Sequence, residues 1–223
     1  MNPLGDSISH VELLSTMGND LTVVNAARVS FHKESQEISE QDVKLINYLA
    51  RNGHITPFFH PQVSLRLKMP IFVAREWFRH QIGFARNEVS RRYVDEKAQV
   101  YIPTTLRARD PKLKQGSKEE PVAENEEAAA VLRTISESAV KEYERLLEMN
   151  VAPEVARMVL PQSMYTEFIE TGSLYAYARL CKLRLDPHAQ REIQAYAQAV
   201  SDLLEERFPV SWKALMAGWT SSS

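Results

Sequence analysis

The segment Val63-Ser-Leu-Arg-Leu-Lys-Met69 organises the chain around it, because apolar and polar residues alternate along it without a break. A period of two places alternate side chains on opposite faces of an extended strand. One face of this strand is then dry and the other is polar. Pro70 follows at once and suits the first turn of a helix, where its missing N–H is not needed. The sequence therefore predicts a strand, a proline and a helix that form one unit.

The predicted helix is apolar on one stripe and densely charged beside it. Its stripe is formed, at helical spacing, by Ile71, Ala74, Phe78 and Ile82. Residues 75–93 also hold five arginines, two glutamates, a histidine and an asparagine. Arg75 and Arg79 stack like charges on one helix face, which costs about 0.2–0.5 kcal/mol unless an anion lies between them. A bound phosphate would remove that cost. Residues 87–93 are polar without a period, and we interpret them as a loop.

The flanking sequence predicts helices and short strands around this unit. Asn19 or Asp20 caps a helix that runs to about residue 31, and Ser39 with Asp42 opens a helix that ends before Asn52-Gly53. The other predicted elements are a strand at 11–14, a solvated connection at 107–124, a long amphipathic helix at about 125–150, a short helix at 153–157, a strand at 165–169, helices at 174–185 and 188–208, and a frayed tail at 221–223. The glutamates and lysines of the long helix are interpreted as a solvated surface, with a subunit contact through its apolar stripe as the alternative; the stripe is formed by Leu132, Ile135, Ala139, Tyr143, Leu146 and Met149. We predict one mixed α/β domain over residues 1–223, with a small central sheet flanked by several helices.

Composition restricts the classes of function. The chain has 223 residues, of which 44% are hydrophobic and 25% charged, as in soluble globular proteins. A net charge of −2 argues against a surface built for nucleic acid, so any anion site is local. The single cysteine, Cys181, excludes an internal disulfide and is interpreted as a helix-packing thiol. Without a leader-like N-terminus or an apolar stretch long enough for a membrane span, we expect a cytoplasmic protein with no membrane partner.

Familiar short motifs are missing from the sequence. Its seven glycines form neither G-x-G-x-x-G nor a P-loop, and zinc-protease, paired C-x-x-C and serine-hydrolase patterns do not occur. His54 and His60 have no third ligand at a short spacing, so we predict no metal site. Arg157 and Arg184 each interrupt an apolar helical run, and an internal ion pair and a ligand contact remain equal alternatives for them. The other informative arginines, read as a solvated loop or an RNA-contacting patch, are Arg86, Arg91 and Arg92.

These segments together resemble the flavin-dependent thymidylate synthases, a family that methylates deoxyuridylate without a catalytic cysteine. The resemblance spans nearly the whole chain, and its most specific part is Arg79-His80 with the trailing Ser90. The matching segments are Met17-Gly-Asn-Asp-Leu21, Ala26-Ala-Arg-Val-Ser-Phe31, Gly53-His-Ile-Thr-Pro-Phe58, Pro70-Ile-Phe-Val-Ala-Arg75, Asn87-Glu-Val-Ser-Arg-Arg-Tyr93, Glu154-Val-Ala-Arg-Met-Val-Leu-Pro161 and Asp186-Pro-His-Ala-Gln190.

The chain departs from the family pattern inside this signature. Gln81 stands where the third signature residue is usually arginine, and eight residues rather than the usual seven separate it from Ser90. Phe59 stands where a glutamate is common. Further on, Ser173, Tyr175 and Arg179 stand where relatives often have Asn, Arg and Asn. We hypothesise that Arg179 supplies along the flavin the charge that Gln81 lacks.

The resemblance implies a set of site residues. Those implied to bind dUMP are Glu76, Arg79, Glu88, Val89, Ser90, Arg91, Arg92, Arg157 and Arg184. Those implied to bind FAD are Ser30, Thr56, Arg79, His80, Gln81, Asn87, Glu88, Ser173, Tyr175 and Arg179. Arg184 is the implied catalytic residue, a permanent cation that activates the uracil ring, and His80 would orient the isoalloxazine or the folate.

The implied reaction is reductive methylation of dUMP to dTMP. The one-carbon unit would come from 5,10-methylenetetrahydrofolate, and NADPH-reduced FAD would deliver the hydride. The resemblance also implies a homotetramer with active sites shared between subunits. Two other classes remain as alternatives: a nucleic-acid-binding module that uses residues 75–92 on phosphates, and a structural protein whose arginines serve subunit ion pairs.

Overall fold

A computed structural model describes residues 1–93, 97–111 and 116–218. The strands are β1 (His10–Met17), β2 (Gln62–Pro70), β3 (Phe84–Glu88), β4 (Arg107–Arg109), β5 (Ser117–Pro121) and β6 (Tyr165–Ser173). The helices are α1 (Asp20–Arg28), α2 (Glu40–Arg51), α3 (Ile71–Trp77), α4 (Asn125–Glu148), α5 (Pro153–Ala156), α6 (Leu174–Arg184), α7 (Arg191–Arg207) and α8 (Pro209–Gly218). The predicted mixed α/β fold is confirmed.

The central sheet is antiparallel and has the strand order β1-β2-β6-β3. Along β2, Leu65 and Leu67 are buried, while Ser64 on the opposite face shares a hydrogen bond of 2.7 Å with Thr171 of β6. The dry face predicted from the alternating segment is therefore confirmed. The main core lies on that face, where Trp77 and Tyr177 are fully buried.

The first two helices begin where their caps predict. Asn19 and Thr22 form a capping box at α1, and Ser39 and Asp42 form another at α2. α1 ends at Arg28 and a 3-10 turn, Val29–Phe31, completes the predicted span. Each box satisfies backbone N–H groups that have no partner inside the helix.

The helix after Pro70 is shorter than predicted. α3 ends at Trp77, and Pro70 is its N-cap as well as the last residue of β2. Gly83 has a φ of +85°, a left-handed conformation that suits glycine, and it turns the chain back into β3. Ile82 therefore lies outside the helix with 71% of its surface exposed. β3 also takes Asn87 and Glu88 out of the predicted loop.

The structure also corrects the bounds of three predicted segments and adds one helix. The predicted solvated connection contains the β4–β5 hairpin, β6 extends beyond 169 to Ser173, and α7 begins at Arg191 rather than at 188. α8 was not predicted. Its backbone N–H groups at Val210 and Ser211 donate to the carboxylate of Asp20, at 3.0 and 2.8 Å. Residues 221–223 lie outside the described part of the chain.

The stripe of the long helix α4 is offset from the prediction. Val140 and Tyr143 are buried, but Ile135 and Met149 are exposed. Cys181 is fully buried in the core, where its thiol donates to the Ala197 carbonyl at 3.5 Å and burial raises its pKa, so the packing interpretation is confirmed. Within the described ranges, no helix has the length and apolar character needed to cross a membrane.

Candidate active site

The strongest polar cluster joins the end of α3 to the end of α6. Arg184, the last residue of α6, donates from Nε to Nε2 of His80 at 2.9 Å. Its guanidinium also forms an ion pair with the Glu76 carboxylate and a longer hydrogen bond, 3.5 Å, to the Glu76 carbonyl. The predicted alternatives for Arg184 are thus resolved in part, because an internal ion pair exists. A guanidinium has about five N–H donors, so roughly two remain for a ligand.

His80 is held in its neutral form. Burial is the largest cause, followed by the charges of Arg184, Arg86, Arg179 and Arg79, and together they lower the pKa of His80 to about 4. A neutral imidazole has one ring nitrogen that accepts. The hydrogen bond from Arg184 makes Nε2 that acceptor and leaves Nδ1 as the donor.

A groove of about 1200 Å³ opens beside this cluster. Glu76, Arg79 and Arg184 line it. The β4–β5 hairpin also lines it, and there the Arg107 guanidinium donates to Ser117 at 2.8 Å and to Glu192 at 2.9 Å. Such a groove, with the two oriented guanidinium groups of Arg107 and Arg184 in its lining, is suited to an anionic ligand.

Arg75 and Arg79 do not both lie on α3, as the predicted stacking of their charges required. Arg75 is exposed and its guanidinium reaches Gln162 at 3.5 Å, whereas Arg79 lies beyond the end of α3 and lines the groove. The stacking of these charges required a helix that continued through residue 79. Because α3 ends at Trp77, the two arginines serve different surfaces.

A second group of predicted residues lies at the end of β3. Glu88 accepts a hydrogen bond of 2.6 Å from Thr166, and the Val89 amide donates to the Glu167 carbonyl at 2.8 Å. The Ser90 hydroxyl accepts from the Arg92 amide at 3.3 Å. With Asn87 and Arg91, the first two of these border a separate cavity of about 460 Å³ on the open face of the sheet.

The remaining predicted residues are scattered over the surface, and none of them lines the groove. Ser30 and Thr56 are exposed in 3-10 turns, and Gln81 and Arg157 are exposed as well. Arg157 makes no ion pair with any residue that the structure describes. Near the start of α6, the Tyr175 ring packs on Phe59 at 5.1 Å and Arg179 is half-buried.

Ser173 is poorly placed for the predicted flavin contact in this chain. It is buried, and its hydroxyl accepts the Ala176 amide at 3.2 Å as the N-cap of α6. An N-cap serine satisfies a backbone donor that the helix leaves unpaired. Its position is therefore explained by the start of the helix.

Two residues near the site were not predicted from the sequence: Arg86, which contacts His80, and Glu170, the partner of Arg86. Arg86 was interpreted as exposed, but only 15% of its side chain is accessible, and it forms an ion pair with Glu170, which is fully buried. Glu170 shares the core face of β6 with Phe168, and a charge on such a face requires a partner. That pattern was a usable signal. In the described ranges, no cluster of three or more His, Cys, Asp or Glu side chains is arranged for a metal.

The fold is α/β, and its groove, lined by Arg79, Arg107 and Arg184, is suited to a small anionic ligand. Residues 12–210 match the family model of the thymidylate synthase complementing proteins. The chain is 43% identical over 204 residues to a flavin-dependent thymidylate synthase of Thermus thermophilus, covering 92% of this chain and 74% of that one. It is 41% identical over 207 residues to that of Thermosipho africanus, covering 92% and 90%. The chain belongs to the flavin-dependent thymidylate synthase family.

A solved structure agrees with this assignment. The UMP/dUMP methylase PolB from Streptomyces cacaoi, bound with 5-Br dUMP, superimposes with a TM-score of 0.83 at 32% identity, over 94% of this chain and 95% of that one. The same methylase bound with 5-Br UMP gives a TM-score of 0.83 at 31% identity. The resemblance stated from the sequence is thereby confirmed for the family and for the fold.

Proposed function

We propose that this protein carries out the reductive methylation of dUMP to dTMP with FAD as its cofactor. The observation that carries the proposal is the Arg184 guanidinium, which Glu76 and His80 orient at the edge of a groove in a chain of this family. Relatives at 33–43% identity are named flavin-dependent thymidylate synthases, and PolB is a UMP/dUMP methylase.

Arg184 is proposed to activate the pyrimidine. Negative charge develops on the uracil ring as C5 becomes nucleophilic, and a preorganised cation stabilises that charge without covalent attack. Glu76 orients the guanidinium and partly offsets its charge. The unused N–H donors of Arg184 would then supply both charge and direction.

The phosphate of dUMP is proposed to be bound by the arginines and the hydroxyl of the signature. A nucleotide monophosphate is nearly a dianion at neutral pH, and guanidinium forks bind such groups through paired hydrogen bonds. The Ser90 hydroxyl accepts from the Arg92 amide, so its own proton is available to a phosphate oxygen. The proposed dUMP contacts are those implied above: Glu76, Arg79, Glu88, Val89, Ser90, Arg91, Arg92, Arg157 and Arg184.

The residues predicted for FAD suit its chemistry with one exception. Guanidinium groups match its diphosphate, and the Gln81 and Asn87 amides and the Nδ1–H of His80 match the carbonyls of its ring. The fitting residues are Ser30, Thr56, Arg79, His80, Gln81, Asn87, Glu88, Tyr175 and Arg179. Ser173 is the exception, because it is buried as a helix cap. Bound FAD, reduced by NADPH, would supply the hydride, and 5,10-methylenetetrahydrofolate would supply the carbon.

We also propose that the protein works as a homotetramer with shared sites. The groove at Arg184 and the cavity at Glu88 have different linings, and an arrangement that sets the groove of one copy beside the cavity of another would bring both sets together. Large exposed apolar side chains such as Phe31, Ile82 and Met158 support an association of copies.

The test is direct. The purified protein is expected to hold FAD, seen in its visible spectrum, and to form dTMP from dUMP when 5,10-methylenetetrahydrofolate and NADPH are added under anaerobic conditions. Parallel assays with NADH, and with UMP in place of dUMP, define the donor and the sugar preference. A folded, colourless protein that takes up no added FAD would overturn the proposal. If it also binds RNA with steep salt dependence, the nucleic-acid alternative replaces it.

A further inference from the structure

A buried carboxylate is linked to the candidate site through Arg86. Glu170 on β6 has no exposed surface and stands opposite Arg86 in the register between β6 and β3. Trp77 donates from Nε1 to both carboxylate oxygens, at 3.1 and 3.3 Å, and the Arg86 guanidinium forms an ion pair with the same group. The carboxylate is therefore fully partnered.

Arg86 connects this carboxylate to His80. Its Nε binds Glu170, and its NH2 group donates to the backbone carbonyl of His80. The guanidinium carbon lies 4.8 Å from the centre of the Phe84 ring and 5.3 Å from that of Phe78. A planar cation held between two rings and two acceptors has little freedom left.

Stability alone is a poor explanation for the buried ion pair between Arg86 and Glu170. Buried ion pairs usually stabilise a fold no more than apolar residues of similar size, because desolvation offsets the attraction. The link to His80 gives the pair another use, since the backbone at His80 also places Arg79 and Gln81. Arg184 fixes the ring of His80, while Arg86 fixes its main chain.

We propose that Arg86 and Glu170 are positioning residues for the reaction: Glu170 holds the Arg86 guanidinium, and Arg86 holds the His80 carbonyl so that the imidazole stays in reach of Arg184. The effect on turnover rests on the proposed function. The effect on His80 does not.

The charge of Arg86 also lowers the pKa of His80. Burial disfavours the protonated form of His80, and so do the charges of Arg184, Arg86, Arg179 and Arg79. The Glu76 carboxylate, which carries the opposite charge, is paired with Arg184. Removing the Arg86 charge therefore raises the pKa of His80, whereas Arg86→Lys retains the charge and loses the fork that binds two acceptors at once.

The experiment compares Arg86→Met, Arg86→Lys and Glu170→Gln in the FAD-loaded protein. The His80 ring is followed by ¹⁵N-labelled histidine NMR against pH, with His80→Gln to assign its signals. Ser201→Ala is the control, because it removes a buried acceptor 3.0 Å from Trp212 Nε1 and touches no residue of the site. Arg86→Met is expected to raise the pKa of His80, and Ser201→Ala to leave it unchanged.

Turnover gives the second readout. All three variants at the pair are expected to lower kcat by about 10²-fold, as misplacement of a site by about 1 Å does, with little change in the KM for dUMP. Arg86→Lys should do so while the pKa of His80 stays low. An unchanged pKa of His80 in Arg86→Met would overturn the inference, whatever the kcat of that variant.

A double variant serves if the single substitution of Arg86 prevents folding. If Arg86→Met does not fold, the double variant Arg86→Met with Glu170→Leu removes both charges and leaves none unpaired, and the same outcomes apply to it. Failure of the two proposals is distinguishable. A wild-type protein that forms no dTMP but whose His80 pKa responds to Arg86 refutes only the proposed function, while an active protein with an unresponsive His80 refutes only this inference.

Discussion

Replacing Arg184 by alanine should impair turnover far more than folding. The substitution removes the hydrogen bond to His80, the ion pair with Glu76 and the proposed contact with the pyrimidine. Loss of one oriented group that stabilises developing charge costs about 2.7–4 kcal/mol of activation free energy, which is about 10²–10³ in kcat. The free energy of unfolding should fall by only about 1–2 kcal/mol. The Glu76 side chain is 24% exposed, so water re-solvates the carboxylate once its partner has gone.

The assay separates these two effects. Pre-reduced protein is mixed anaerobically with dUMP and 5,10-methylenetetrahydrofolate, and flavin oxidation and dTMP are followed in a single turnover. Unfolding is measured in parallel by heat. Arg207→Ala is the matched control, because Arg207 is an exposed arginine whose ion pair with Glu206 is long, 4.0 Å. Arg184→Lys should recover part of the rate, since it keeps the charge and loses the fork. Wild-type single-turnover rates in Arg184→Ala, at saturating FAD and dUMP, would refute the assignment of Arg184.

Three other perturbations test parts of the same structure. Burial raises the pKa of Asp42, but hydrogen bonds from Ser39 outweigh burial, so the pKa in the folded protein is lowered. The stability that this carboxylate contributes is fully present above its unfolded pKa of about 4, and it is lost as the pH falls through the lower folded pKa. Asp42→Asn should lower the free energy of unfolding by about 1–3 kcal/mol at neutral pH and weaken this acid dependence, measured by urea titration at several pH values. In Gly172→Ala the new Cβ would lie 2.4 Å from the Phe84 ring, so we expect a loss of about 1–3 kcal/mol and a lower melting temperature; an unchanged value would contradict the tight packing. His80 has a pKa of about 4 in the folded protein and an ordinary pKa of 6.5, so the stability contributed by its neutral form should be lost as the pH falls from 6.5 towards 4. The pH profile of kcat/KM should therefore show no change near 6.5 that comes from the titration of His80.

The parts of the fold predicted correctly depend on local signals. The alternating segment became β2, and the serine at position 39 with Asp42 marked the start of α2, because alternation and capping boxes lie within a few residues of one another. α8 depends on a carboxylate far away in sequence. Asp20 receives the backbone N–H of Ser211 across 191 residues, and no local pattern reveals such a partner.

The site shows the same division. The family resemblance supplied Arg184 and Glu76, and the structure brings them together from two helices 108 residues apart in sequence. Arg86 was misread as a solvated side chain. Its partner, Glu170, is 84 residues away and comes opposite it only when β3 pairs with β6. Reading β6 as far as Ser173 would have placed Glu170 on the core face and required a cation beside it.

Within one chain, the arginines of the charged stretch after Pro70 lie at different places, and the end of α3 at Trp77 is one reason. Once the helix stops there, Arg79 lines the groove, Arg86 enters the core from β3, and Arg91 borders the cavity on the open face of the sheet. Arginines close in sequence thus act at different places, and like charges are separated instead of being bridged by one phosphate. A nucleotide that contacts both Arg79 and Arg91, as proposed, would bridge the groove of one copy and the open sheet face of another. The proposed shared site is consistent with this separation, because the chain turns at Gly83 and Arg79 and Arg91 line different cavities.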